Sequence, residues 1–205
     1  MHTRSRTAAL LAAVFATMCA LLVPATSVGA DTAVPLVAGT TSVTSSPAVT
    51  AALLRAGVLP LPTGRAQETL VLQPGGLGVK ASFPVTGGSV DPASLAGTVE
   101  HQGGLVFVNF GNFKTVSVSD FTIVIDDAPH LVATKVNGQP ADLRVFDLDL
   151  SAAKVTPGAS GIRVAGIVPI LTADAATALN ASLGTRVFAG GLVFGTAQTR
   201  LVPAA

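Results

Sequence analysis

The stretch LAGTVEHQGGLVFVNFGNFKTVSVSDFTIVI, from Leu95 to Ile125, decides the fold class. Leu95, Gly97, Val99 and His101 share one parity, opposite Thr98 and Glu100, up to the pair Gly103-Gly104. Leu105 to Phe110 and Lys114 to Ser119 then flank Gly111, and Phe121, Ile123 and Ile125 alternate with Asp120, Thr122 and Asp126. A period of two gives each segment one apolar face, the pattern of half-buried strands joined at glycines. Apolar positions change parity at Ser119-Asp120-Phe121, and again downstream at Val145-Phe146. Such a break marks a bulge or a strand passing between packing environments, which favours a closed or bent sheet over a flat one.

Working outward, the pattern repeats. Upstream, Leu70 and Leu72 precede a Pro74-Gly75-Gly76 turn, after which Val79, Ala81, Phe83 and Val85 alternate with Lys80 and Ser82. Downstream, Leu131 to Val136 lead into Asn137-Gly138, a tight-turn signal that Gln139-Pro140 would lengthen. Leu143 to Leu150, Ile162 to Ile170 and Val187 to Thr199 complete the set. Two short helices punctuate the strands. Ser46 caps the first, with Pro47 at its first position, Ala48 to Ala56 as its body and Gly57 as its stop; Thr172, Ala173 to Leu183 and Gly184 repeat the scheme. Two such units are too few for a solenoid. With no crossover helices between strands, a parallel α/β sheet is disfavoured. The expectation is a mostly β domain, an antiparallel sandwich or barrel-like sheet with two short capping helices.

Residues 1–30 read as a secretory signal peptide. Arg4 and Arg6 supply the positive start, Ala8 to Val23 the apolar run ended by Pro24, and Val28-Gly29-Ala30 the small residues of a cleavage site. The single cysteine, Cys19, lies inside this segment, so the mature chain has no disulfide, thiol nucleophile or Cys-ligated metal. Cleavage leaves 175 of the 205 residues, with ten bases against eleven acids. No basic field remains to attract nucleic acid, and with no Trp or Tyr only Phe could stack on a base or sugar. No second long apolar segment follows, so no transmembrane helix is expected in the mature chain, and the localisation is secreted or cell-wall. The Thr/Ser/Ala-rich residues 31–46 read partly as linker. The domain expectation is an N-terminal segment over 31–66, its short helix packing on a β domain over 67–205.

Catalytic material is scarce. His101 and His130 are the histidines of the mature chain, and HExxH, a G-x-S-x-G elbow and a Gly-rich phosphate loop are all missing, so an enzyme is not expected. Asp147 and Asp149 lie two apart on one strand face and could help hold a hard cation, but alternation with Phe146, Leu148 and Leu150 reads as a solvated face. Asp126-Asp127 before Pro129 reads as turn chemistry, and His130 as a loop residue. Asn180-Ala181-Ser182 matches a glycosylation sequon but falls inside the second helix. His101 has the parity of Val99; a neutral imidazole there could ligate a metal or haem iron, or sit hydrogen-bonded at the rim of the core.

Gly97-Thr98-Val99-Glu100-His101-Gln102-Gly103-Gly104-Leu105 resembles the G-x-V-x-H-x-G-G-L signature of the HtaA (haem-transport-associated) domain family. Val118 to Phe121, Leu131 to Ala133 with Asn137-Gly138, Phe146 to Ser151, and Leu171 to Ala176 with Leu179-Asn180 are similar to later elements of that family, over about Glu68 to Thr199. The resemblance implies an exported β-rich module that binds haem for iron uptake. It carries His101 over as the haem-binding candidate, and Phe107, Phe110 and Phe121 are candidates for the wall of an apolar pocket. In haem-binding members a tyrosine ligates the iron and the histidine supports it, whereas this chain has no tyrosine. Three functional readings follow: a secreted or envelope module holding haem or another apolar ligand, a non-haem structural or protein-interaction module of the envelope, and, a distant third, a hydrolase without a recognisable motif.

Overall fold

Each strand of this chain finds its partners antiparallel. The computed structural model describes residues 33–204, so the signal-peptide reading of residues 1–30 lies outside the described residues. The elements run β1 Val34–Ser45, α1 Pro47–Arg55, β2 Val58–Thr63, β3 Gln67–Gln73, β4 Gly76–Val90, β5 Gly97–His101, β6 Gly104–Asn109, β7 Lys114–Ile125, β8 His130–Val136, β9 Gln139–Asp149, β10 Lys154–Gly158, β11 Gly161–Leu171, α2 Ala173–Leu183 and β12 Gly195–Pro203. Eight strands form a ring in the order β7-β5-β4-β1-β12-β11-β9-β8, and β8 pairs back onto β7. The expected sandwich or barrel is therefore a closed antiparallel barrel, which leaves its ring strands with partners on both sides. Outside the ring, β3 extends β4, β10 extends β11, and β6 joins β7 and carries β2.

Both parity breaks have a structural cause. At Asp120, held at φ 54, β7 exchanges one neighbour for another: residues 114–119 pair with β6, and 122–125 pair with β5. At Val145 the register between β8 and β9 shifts by one, since Leu131 faces Phe146 whereas Val132 faces Arg144. Val145 is the extra residue of a bulge.

The signature glycines serve the same crossing. Gly97 sits at φ 138, and a Cβ there would overlap the Ser89 carbonyl of β4; at Gly104 it would overlap the Val118 carbonyl of β7. Both are places where neighbouring backbones come too close for a side chain.

Several expectations need correction. Residues 34–45 are not linker: β1 pairs with β12 on one side and β4 on the other. Its sequence hides this because its buried residues Thr41, Ser42 and Ser45 carry hydroxyls, which are satisfied by Thr199, Ser82 and Thr50. The last strand starts at Gly195 and not near Val187; residues 187–194 are irregular apart from one bridge, Ile170 to Val193. β2 and β10 have no counterpart in the sequence reading, since Pro60, Pro62 and Pro157 argue against strands. Gln139-Pro140 does not lengthen the turn, because Pro140 already pairs with Lys135.

The helices match their cap signals. Ser46 accepts from the Val49 N–H and Thr172 from the Ala175 N–H, while Gly184 closes α2 at φ 62. α2 turns Ala175, Ala176, Leu179 and Leu183 towards the core, packing against β6, β7 and β9. α1 buries Val49, Thr50 and Leu53 beside β2 and β4.

Candidate functional site

His101 ends β5 with its side chain inside the barrel, 5% exposed, as its parity with Val99 predicts. Its Nδ1 lies 3.1 Å from the Phe121 carbonyl and its Nε2 2.7 Å from Thr41 Oγ1, which is 2.8 Å from Thr199 Oγ1. A carbonyl only accepts, so Nδ1 carries the proton and donates. Nε2 is then the acceptor for the Thr41 hydroxyl, and the Thr41 oxygen takes the Thr199 proton. Burial pushes the His101 pKa down to about 4, against the opposing pull of the Phe121 and Val99 backbone bonds. The imidazole is neutral at pH 7 with both nitrogens engaged, and Nε2 reaches a metal only by giving up Thr41.

Beside this relay lies a partly open cavity of about 70 Å³, walled by ring strands together with β2, β3, β6 and α2. Phe107 and Phe121 stand in its wall, together with Phe83, Phe146, Phe188 and Phe194. These rings pair edge-on or tilted, Phe83 with Phe121 at 5.2 Å, Phe107 with Phe188 at 5.9 Å and Phe146 with Phe194 at 5.3 Å, which stiffens the wall. Phe110 does not join them. It lies 51% exposed just after β6, on the turn that also carries the 80% exposed Phe113. For scale, a void that admits benzene measures about 150 Å³.

Four polar residues line the cavity, Thr41, Ser45, Glu68 and His101. Sequence reasoning missed three of them. Thr41 and Ser45 lie in the run read as linker, and Glu68 looks like the polar start of a strand. Burial raises the Glu68 pKa, and its Oε2 is sealed from solvent without a hydrogen-bond partner.

Other candidates have local duties. Asp147 pairs with Arg144 at 2.7 Å on the exposed face, and Asp149 accepts from the Ser151 N–H. Asp126 accepts from the Ala128 N–H, which is turn chemistry. His130 opens β8 instead of lying in a loop, its Nδ1 donating to the Ala128 carbonyl. Asn180, the sequon residue, clamps the backbone of Phe188 through both ends of its amide. Among the described residues neither histidine hydrogen-bonds a carboxylate or a serine. No cluster of three or more His, Cys, Asp or Glu side chains converges there, and no helix is long and apolar enough to cross a membrane.

No family model matches the chain, and no curated protein matches it. Among solved structures, the C-terminal domain of HtaA from Corynebacterium glutamicum superposes with a TM-score of 0.57 at 11% identity, covering 83% of this chain and 99% of that domain. A domain-swapped dimer of a histidine-to-alanine variant of that domain gives 0.47 at 12% identity, covering 76% of this chain and 91% of the other. At such identity the likeness concerns the backbone alone, and what it shows is that residues of this chain adopt an HtaA-like fold.

Proposed function

We propose that this chain is an exported binding module of HtaA-like fold whose barrel holds a small apolar ligand. The observation that carries the reading is the apolar cavity beside His101, lined by Phe83, Phe107 and Phe121. Export rests on the signal-type sequence of residues 1–30. The family resemblance implies haem, but three features of the site oppose haem held through His101. The chain has no tyrosine, both imidazole nitrogens are hydrogen-bonded, and the cavity is about half the volume of one that holds benzene. A second reading, docking to an envelope protein, is favoured by the exposed Phe110 and Phe113 at the β6–β7 turn.

Residues 31–205 titrated with haem, followed near the Soret band beside a His101→Ala variant, and separately equilibrated with xenon, followed by xenon NMR, test the first reading. Saturable xenon binding is expected, without a His101-dependent Soret shift. A saturable shift that His101→Ala abolishes would replace it with a histidine-ligated haem site. Failure of both probes to bind would leave the envelope-docking reading.

A further inference from the structure

The β6–β7 turn holds two aromatic rings out in solvent on a fixed backbone. Four residues, Phe110 to Phe113, close the hairpin between the paired Asn109 and Lys114. The Phe113 N–H bonds the Asn109 carbonyl at 2.7 Å, and Phe113 itself takes φ 59. Glycine or asparagine fits that left-handed position, whereas a bulky side chain is strained there. Phe113 gains no core packing in exchange, since it is the more exposed of the two rings. A strained phenylalanine that faces solvent points to something outside the chain that covers it.

The turn is braced where both helices end. Asn109 and Asn112 each donate from Nδ2 to the Leu183 carbonyl of α2 at 2.9 Å, and the Phe110 N–H donates to the carbonyl of Gly57, just past α1, at 2.8 Å. Each of these ends carries a base. Arg55 is the last residue of α1, next to the half-exposed Leu54. Lys114 Nζ lies against Gly184 at the end of α2, and Arg186 follows two residues later. All three bases are exposed, and among the described residues none of them pairs with a carboxylate. The segments that meet here, Ser46 to Gln67, Gln102 to Ser119 and Ala175 to Ala204, contain no Asp or Glu. Charge nearly balances over the mature chain, but the segments that build this turn supply only bases.

We propose that the β6–β7 turn docks on an anionic lipid surface, with Phe110 and Phe113 entering the acyl boundary and Arg55, Lys114 and Arg186 meeting the head groups. Two phenylalanines offer at most about 500 Å², short of the roughly 800 Å² that each side of a stable protein interface buries. A bilayer asks for less area: apolar side chains sink to the acyl boundary while nearby bases attract anionic lipid. Two rings and three bases give reversible, salt-sensitive attachment. Neither ring lines the cavity, so this attachment is independent of what the cavity holds.

Co-sedimentation of residues 31–205 with vesicles of phosphatidylcholine alone, and of phosphatidylcholine with phosphatidylglycerol in equal parts, provides the test. Binding is expected on the anionic vesicles and not on the neutral ones, and it should fall as salt is added. Lys114→Gln should weaken it about fivefold. The double variant Phe110→Ser, Phe113→Asn should abolish it without lowering the urea midpoint, because asparagine accepts the left-handed backbone that strains phenylalanine. Equal binding to both kinds of vesicle overturns the role given to the bases, and anionic binding that the double variant retains overturns the role given to the rings. No binding to either overturns the assignment altogether and leaves the two rings to an envelope protein.

Discussion

His101 is neutral in the folded barrel because burial opposes its charge, so acid acts on this residue through the unfolded chain. The folded pKa of about 4 lies below the ordinary value of 6.5. Above pH 6.5 neither state takes the proton. Between about 6.5 and 4 the unfolded chain binds it and the folded chain does not, so stability falls as pH falls through that window and the loss levels off below it. The shift corresponds to a ceiling of about 3 kcal/mol. Urea unfolding of the native protein should therefore show a midpoint that declines from pH 7 to pH 4, and His101→Gln should flatten the decline. A native profile no steeper than the variant's would mean that the imidazole is not sealed as its bonds to Thr41 and the Phe121 carbonyl imply. The inward direction of His101 was legible from its parity with Val99. Its partner Thr41 was not, because a hydroxyl buried in a Thr/Ser run looks the same as a solvated one until the distant strand that needs it is known.

Elements whose signals are local were the readable ones. A helix cap is a bond between residues three apart, so Ser46 and Thr172 announced α1 and α2 with little help from the rest of the chain. The parity breaks at Asp120 and Val145 were equally local, and they marked where strands exchange neighbours or bulge. β2 stayed hidden because its prolines are tolerable only on an unpaired edge, a property of the assembled sheet. The G-x-V-x-H-x-G-G-L run combines both kinds of information. Val99 and His101 fill the interior, while Gly97 and Gly104 let β4 and β7 pass close to the chain as it steps from β5 to β6. Gly104→Ala places a methyl on the Val118 carbonyl and the Ser119 side chain, where the β6–β7 ladder would have to part. It should cost at least about 2 kcal/mol in urea unfolding, as overpacking against closely fitted neighbours does. Thr172→Ala, which removes one cap bond, should cost about 1 kcal/mol. An inverted ranking of the two would show that the glycines of the run are not there for close backbone approach.

At the scale of the whole molecule the barrel closes by joining the two ends of the described chain. β1 lies between β4 and β12, with Leu36 facing Pro203 and Ser45 facing Gly195, and the Ala204 N–H bonds back to the Pro35 carbonyl. No local pattern could have announced this β1–β12 pairing, since each partner is at least 150 residues from the other in sequence. It bears on the expected division into a 31–66 segment packing on a β domain over 67–205, because β1 belongs to the first and both of its neighbours to the second. Removing residues 31–45 would strip β4 and β12 of a shared neighbour and take Thr41 away from both His101 and Thr199. Two ladder edges would open, and a buried imidazole nitrogen would lose its donor, a defect that alone costs about 1–3 kcal/mol. A chain beginning at Ser46, or at Gln67, should therefore lose cooperative thermal unfolding by circular dichroism and associate through its exposed edges, whereas residues 31–205 unfold as one unit. A sharp transition in the chain from Gln67 would support the boundary at residue 67 and reduce β1 to an accessory strand. Loss of the transition in both would make β1 the stave that closes the barrel, and with it the wall on which the cavity and the His101 relay depend.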